Sequence, residues 1–114
     1  MRPALLALAL IVSSYAAHAA GMADDLSVTA GRPRAIGETV ETVIQVRNAG
    51  SARVEVAEVS CSVASRGGSP VGEAASVIRN IKPGATVTGR NFIGIAEADG
   101  KTLGAASCRI VDAR

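Results

Sequence analysis

Apolar and polar residues alternate along most of this chain, and the alternation predicts β-strands. In TVETVIQVRN (39–48), the apolar residues Val40, Ile44 and Val46 share one parity, and mostly charged or polar residues hold the other. A repeat of two is the repeat of a strand with one buried and one solvated face. The same pattern predicts strands over LSVTA (26–30), VEVAEVSCSV (54–63), VGEAASVIRNI (71–81), ATVTGRNFIGIA (85–96) and TLGAASCRIV (102–111).

Turn residues separate these segments. The stretch GRPRAIGE (31–38) has no regular pattern, and its Pro33 cannot donate to a strand ladder. In the first cysteine-containing strand the apolar parity changes around Ala57–Glu58, which predicts a β-bulge. Gly89 and Gly94 predict a bend in the strand that contains them. Turns or loops are predicted at NAGS (48–51), SRGGSP (65–70), KPG (82–84) and, as a hairpin, EADGK (97–101).

The aliphatic composition supports the same fold class. Beyond residue 19 the chain has twelve valines and seven isoleucines but only two leucines. β-Branched side chains favour strands, whereas leucine is the commoner choice in helices. Because turn signals are spread through the chain, we expect many short strands packed as an all-β sandwich.

The first 19 residues have the layout of a secretory signal peptide. Arg2 precedes an apolar run over residues 4–12, and Ala17-His18-Ala19 places small residues at the −3 and −1 positions. The alternative is an uncleaved anchor, but the run is shorter than the roughly 20 residues that a spanning helix needs. We therefore expect cleavage near Ala19, one domain over residues 20–114, and a periplasmic or secreted protein that does not span a membrane.

Removal of this segment reduces the set of side chains that could take part in catalysis or metal binding. It takes away His18 and Tyr15, so the remainder has no histidine, and Phe92 is its one aromatic residue. The net charge becomes the stated +2 less the charge of Arg2, or +1. A near-neutral chain predicts no nucleic-acid partner. Without histidine, or a glycine-rich turn that leads into a helix, we expect no cofactor, metal or nucleotide.

The two cysteines, Cys61 and Cys108, both lie on apolar parities of predicted strands. An even count in an exported protein predicts a structural disulfide. It would close a loop of about 48 residues, for which the chain-entropy model gives roughly 4 kcal/mol. A redox pair is the alternative, but redox cysteines usually lie close together in sequence.

Two stretches of the chain resemble a known family. VRNAGSARVEVAEVSC (46–61) and GGSPVGEAASVIRNIKPGATVTGRNF (67–92) are similar to the FxLYD type of exported prokaryotic β-sandwich domain. The shared features are an Asn-x-Gly-Ser turn, a valine-rich strand, a G-x-P-V-G hairpin and a K-P-G turn. The family's aromatic signature would fall at CSVAS (61–65), which has neither its Phe nor its Tyr-Asp. The resemblance implies an immunoglobulin-like sandwich of about seven antiparallel strands and brings no catalytic residues.

The remaining polar residues offer weak candidates for chemistry. The loops GRPRAIG (31–37) and SRGGSP (65–70) combine glycine with arginine and could hold an anion, but neither precedes a helix, and we interpret both as plain loops. Three arginines could form a binding face, although compositional bias explains them more simply: Arg47, Arg79 and Arg90. The carboxylate pairs are expected to be solvated: Asp24/Asp25, Glu38/Glu41 and Glu55/Glu58.

These observations predict a non-enzymatic module for protein binding or a structural role. The partner would be another exported protein, held by an edge strand at Val28 or by the loop of Arg66, Gly67 and Gly68. The first alternative is a small secreted enzyme inhibitor that presents the loop around Arg66. An unrecognised hydrolase is a weaker alternative. No pattern in the chain indicates an oligomeric state.

Overall fold

The structure is a computed structural model, and it describes residues 21–94 and 103–114. These residues form one short helix and seven strands. The elements are α1 (Gly21–Asp24), β1 (Leu26–Ala30), β2 (Arg34–Ile36), β3 (Thr39–Asn48), β4 (Val54–Ser65), β5 (Pro70–Ile81), β6 (Thr86–Gly94) and β7 (Leu103–Ala113). The predicted signal peptide and the EADGK hairpin lie outside the described residues.

The strands form two antiparallel sheets. In the first sheet β3 is central, with β6 on one side and both β1 and β2 on the other. In the second sheet β4 is central, between β5 and β7. An immunoglobulin domain likewise divides strands A, B and E from strands C and F. The prediction of an immunoglobulin-like β-sandwich of about seven antiparallel strands is confirmed.

The core lies between the sheets because the inner faces carry the branched residues. Ile44 and Val46 of β3 meet Val59 and Cys61 of β4, and all four are fully buried. A second cluster occupies the end of the sandwich near the start of β7; its members are Val40, Val63, Ile93 and Leu103. The parity predicted for β3 is confirmed, since its inner residues are buried and most of its outer residues are exposed.

The disulfide between Cys61 and Cys108 is present, as predicted. The two residues are direct partners in the β4–β7 ladder, with Cα atoms 4.1 Å apart. The bond therefore joins neighbouring strands of one sheet, whereas the disulfide of antibody domains joins strands B and F across the two sheets.

The change of parity in β4 is real but occurs earlier than predicted. Val54 and Ala57 are both buried, so the inner face changes parity between them. There the backbone N–H groups of Glu55 and Val56 both donate to the carbonyl oxygen of Arg114, at 2.9 and 3.0 Å. Two donors on one acceptor are the mark of a β-bulge. The ladder with β7 also shifts between Glu58 and Val59, close to the predicted site.

Two local features differ from the pattern-based prediction, and one glycine has a packing role. The irregular stretch after β1 contains the short strand β2, which pairs with the start of β3. The helix α1 was not predicted. Gly89, where a bend was predicted, lies within the continuous strand β6; a Cβ atom there would overlap Cδ1 of Ile78. The glycine thus serves close packing between the sheets.

Candidate binding site

The two sheets meet differently along their two sides. On one side β5 lies against β6, and buried Asn91 bridges them through its Nδ2, which donates to the Ala74 carbonyl at 3.0 Å and to Ser76 Oγ at 2.7 Å. On the other side β1 lies against β7. There, in the described part of the chain, no side-chain hydrogen bond joins these two strands. We call this second side the β1–β7 side.

Inner-face apolar residues along the β1–β7 side are only half-buried. They are Val28, Ala30, Ala106, Cys108 and Ile110. Their partners on the central strands are fully buried, as Val59 and Cys61 illustrate. A strip of apolar surface therefore remains accessible between the two edges.

The edge of β1 that faces away from β3 carries unpaired backbone groups. Gly31 N–H donates to the Val43 carbonyl at 2.8 Å, and Ala49 N–H donates to the Asp25 carbonyl at 2.9 Å. Hydrogen-bonded pairs alternate with non-bonded pairs in an antiparallel ladder. The N–H and C=O of Val28, an even-numbered residue of β1, therefore point away from β3.

The edge of β7 is similar. The short Cα separation of Cys61 and Cys108 is that of a non-hydrogen-bonded pair. The backbone groups of Cys108, and by alternation those of Ala106 and Ile110, point away from β4. Among the described residues β7 pairs only with β4, and β1 only with β3.

The predicted loop residues Arg66, Gly67 and Gly68 form the tip of the β4–β5 hairpin and are exposed. The turn is compact, because Ser65 N–H donates to the Ser69 carbonyl at 2.8 Å and Gly68 N–H donates to the Ser65 carbonyl at 3.0 Å. Gly68 has φ +90°, a conformation that favours glycine. The hairpin tip therefore does not form an extended protruding loop.

The two arginine-bearing loops come together in space, which the sequence did not indicate. Arg32, from the connection between β1 and β2, and Arg66, from the hairpin tip, line one cavity of about 580 Å³. The other lining residues within the described part of the chain are Ala30, Gly31, Pro33, Leu103, Gly104, Ala105 and Ala106. The cavity lies at the end of the β1–β7 side where β7 begins.

The predicted arginine face is not a single surface. Arg47 and Arg90 lie on the outer face of the first sheet, whereas Arg79 lies on the outer face of the second. The expectation of solvated carboxylates also fails at Glu41, which is only 8% exposed although it lies on an outer face. Its neighbours explain this, since it pairs with Phe92 on β6 and with Arg34 on β2.

The outer face of the first sheet also carries an apolar group that the alternation did not predict. Phe92, Val43 and Ile36 are 53%, 38% and 44% exposed. The Arg90 guanidinium lies beside them, with Nη1 3.6 Å from Glu41 Oε2. The sequence did contain one hint, because Phe92 and Ile36 occupy the same parity as charged residues of their strands.

Within residues 21–94 and 103–114, no helix has the length and apolar character needed to cross a membrane. Over the same ranges, no three side chains of histidine, cysteine, aspartate or glutamate are grouped where a metal ion could bind. The expectations about cofactors and metals stay predictions.

No protein-family model matches the chain, and no curated protein or solved structure is significantly similar to it. The resemblance to FxLYD-type domains therefore stays a prediction. The function of this protein is therefore inferred from its own residues.

Proposed function

We propose that this protein is an exported, non-enzymatic binding module that captures an extended segment of another exported protein on its β1–β7 side. The observation that carries the proposal is the pair of adjacent strand edges with a strip of half-buried apolar side chains between them. An added strand would receive main-chain hydrogen bonds from an edge, and its alternate side chains would cover the apolar strip.

Edge protection differs between the two strands and favours β7 as the more open edge. Natural proteins guard edges with proline, charge or bulges. One residue after β1 the chain continues with Arg32, buried Pro33 and Arg34. β7 has eleven residues, no proline, and only Arg109 and Asp112 as charges, and its ladder with β4 is regular from Ala106 to Ile110, between two register shifts. We therefore expect the captured segment to pair with β7 and to contact β1 along its other edge.

The test uses proline to remove one edge donor. Val28→Pro removes an N–H that points away from β3, so the β1–β3 ladder should survive while capture is weakened, because the segment keeps its bonds to β7 but loses one to β1. Val28→Ala is the matched control, because it removes the same side chain but keeps the N–H. The first measurement is the amount of protein that the immobilised module captures from periplasmic extract. The second is the rate of hydrogen exchange at the amides of Val28 and Cys108. Protection of both amides on capture is expected.

Equal capture by Val28→Pro and Val28→Ala, with folding verified by circular dichroism, would count against the β1 edge. Unchanged exchange at both amides would reject strand capture altogether. In that case the inhibitor alternative, with the hairpin tip around Arg66 as the contact, becomes the better hypothesis. The compact turn at Ser65–Ser69 favours the module over the inhibitor, since an inhibitory loop must enter an enzyme's cleft.

A further inference from the structure

Arg32 and Arg66 reach their shared cavity from two separately anchored backbone segments. On the β1 side, Gly31 N–H is bonded to β3, and the ring of Pro33 is buried. On the hairpin side, the Ser65 backbone closes the turn that carries Arg66. Both arginines therefore project from positions that the fold determines, rather than from long flexible loops.

The start of β7 completes the cavity wall. Gly104 lies so close to the hairpin that a Cβ atom on it would be 2.7 Å from the Ser65 carbonyl oxygen. This close approach brings Leu103 and Ala106 beneath the hairpin tip. Leu103 is buried and Ala106 half-buried, and both contribute apolar atoms to a cavity whose lining is otherwise largely polar.

The charge of the two guanidinium groups is not neutralised by the described part of the chain. Its ion pairs join Arg53 to Glu55, Arg90 to Glu41, and Arg114 to Asp112. Neither Arg32 nor Arg66 takes part in these pairs. A guanidinium presents five donors in a planar fork that matches the oxygens of a carboxylate or a phosphate.

We propose that the cavity between Arg32 and Arg66 binds a small dianion, either a phosphate group or a dicarboxylate, with one guanidinium on each side. Two cations across a cavity of about 580 Å³ suit a ligand with two negative charges better than a single carboxylate. Ala30 and Ala106 belong both to the cavity lining and to the apolar strip, but the two arginines lie in the loops beyond the strands, so an anion can bind them whether or not a strand is captured.

The test is a two-dimensional ¹H–¹⁵N NMR titration of the protein at constant ionic strength. The probes are sodium phosphate, sodium succinate and sodium acetate, with sodium chloride as the reference salt. Saturable shifts are expected at the Gly31 and Gly104 amides with phosphate or succinate, and the affinity for acetate should be lower. Whether phosphate or succinate binds more tightly distinguishes the two ligand classes.

Three variants locate the site. Arg32→Gln and Arg66→Gln should each weaken binding by about tenfold, since each removes a charge-assisted contact. Arg79→Gln is the matched control, because Arg79 is exposed on the outer face of the second sheet. Its affinity should equal that of the unaltered protein.

Three results would overturn the proposal. The first is a chemical-shift change that grows linearly with the concentration of every anion and does not saturate. This result is expected if other carboxylates of the chain already neutralise the arginines. The second is equal affinity for acetate and succinate, which would remove the argument for two guanidinium groups. The third is binding that persists in the Arg32→Gln/Arg66→Gln double variant.

Discussion

The side chain of Asn48 joins two turns that are far apart in the sequence. Although only 1% exposed, it has a partner for each of its polar groups. Its Nδ2 donates to the carbonyls of Ala52 and Ile81, at 2.8 and 3.0 Å, and its Oδ1 accepts from Gly50 N–H at 2.9 Å. Its backbone carbonyl accepts from Gly84 N–H at 2.7 Å. The NAGS and KPG turns are thus tied together.

We predict that Asn48→Ala lowers the free energy of unfolding by about 2–3 kcal/mol, because buried carbonyl and N–H groups lose their partners. Asn48→Asp is the informative companion: it keeps an acceptor for Gly50 but places a carboxylate against two carbonyl oxygens. At neutral pH it should destabilise at least as much as alanine. Urea unfolding measures both, and a loss below about 0.5 kcal/mol for alanine would contradict the argument.

The sequence predicted the turn at Asn48 but not the reach of its side chain. Turn chemistry is local, whereas the bond to Ile81 spans 33 residues and depends on the way the sheets pack. The prediction that Glu41 is solvated fails for the same reason. Its outward parity was correct, but its low exposure depends on Arg34 and Phe92, which neighbouring strands supply.

At the scale of elements, alternation predicted the strands that have a regular period. β1 and β3 have the predicted bounds, and β4, β5 and β7 differ by one or two residues at their ends. The three-residue strand β2 was missed because it is too short for a period and follows a proline. The irregularity predicted around Ala57–Glu58 corresponds to the shift of the β7 ladder between Glu58 and Val59. The earlier bulge, between Val54 and Ala57, was not predicted because it depends on the carbonyl of Arg114, just beyond β7.

The approach of β7 to the β4–β5 hairpin yields a prediction about one glycine. A Cβ on Gly104 would press on the Ser65 carbonyl, a backbone group that cannot move without opening the turn. We expect Gly104→Ala to lower the free energy of unfolding by about 1–3 kcal/mol, the range of overpacked positions.

Gly94, at the end of β6, is the matched control for this change. Among the described residues, none has an atom within 4 Å of a Cβ placed there. Gly94→Ala should be neutral or slightly stabilising, since it reduces the entropy of the unfolded chain. Thermal unfolding of the two variants side by side checks the prediction, and equal midpoints would show that the hairpin yields easily.

At the scale of the whole molecule, the fold class was predictable and the candidate sites only partly so. Composition and period determine an all-β sandwich, and the cysteine count determines the disulfide. The edge position of β1 also followed from its short length and the irregular stretch after it. The proximity of Arg32 and Arg66 could not be predicted from the sequence. Only the packing of one sheet on the other brings their two loops to the same end of the sandwich.

The disulfide yields the last prediction, because it closes a large part of the chain onto one sheet. Cys61 and Cys108 lie 47 positions apart, and the described residues include no free cysteine. Loop closure of this length is worth about 4 kcal/mol in the chain-entropy model. For a domain of this size each kcal/mol shifts the midpoint by about 4–8 °C, so reduction should lower the Tm by more than about 10 °C.

Calorimetry with and without dithiothreitol measures the shift, and the Cys61→Ala/Cys108→Ala double variant is the control. That variant should start from a lower Tm and should not respond to the reductant, because nothing remains to be reduced. The β4–β7 ladder persists without the bond, so the reduced protein should still fold at low temperature. Two titratable thiols in the native protein, or a Tm that reduction leaves unchanged, would refute the assignment of a stabilising role to this bond.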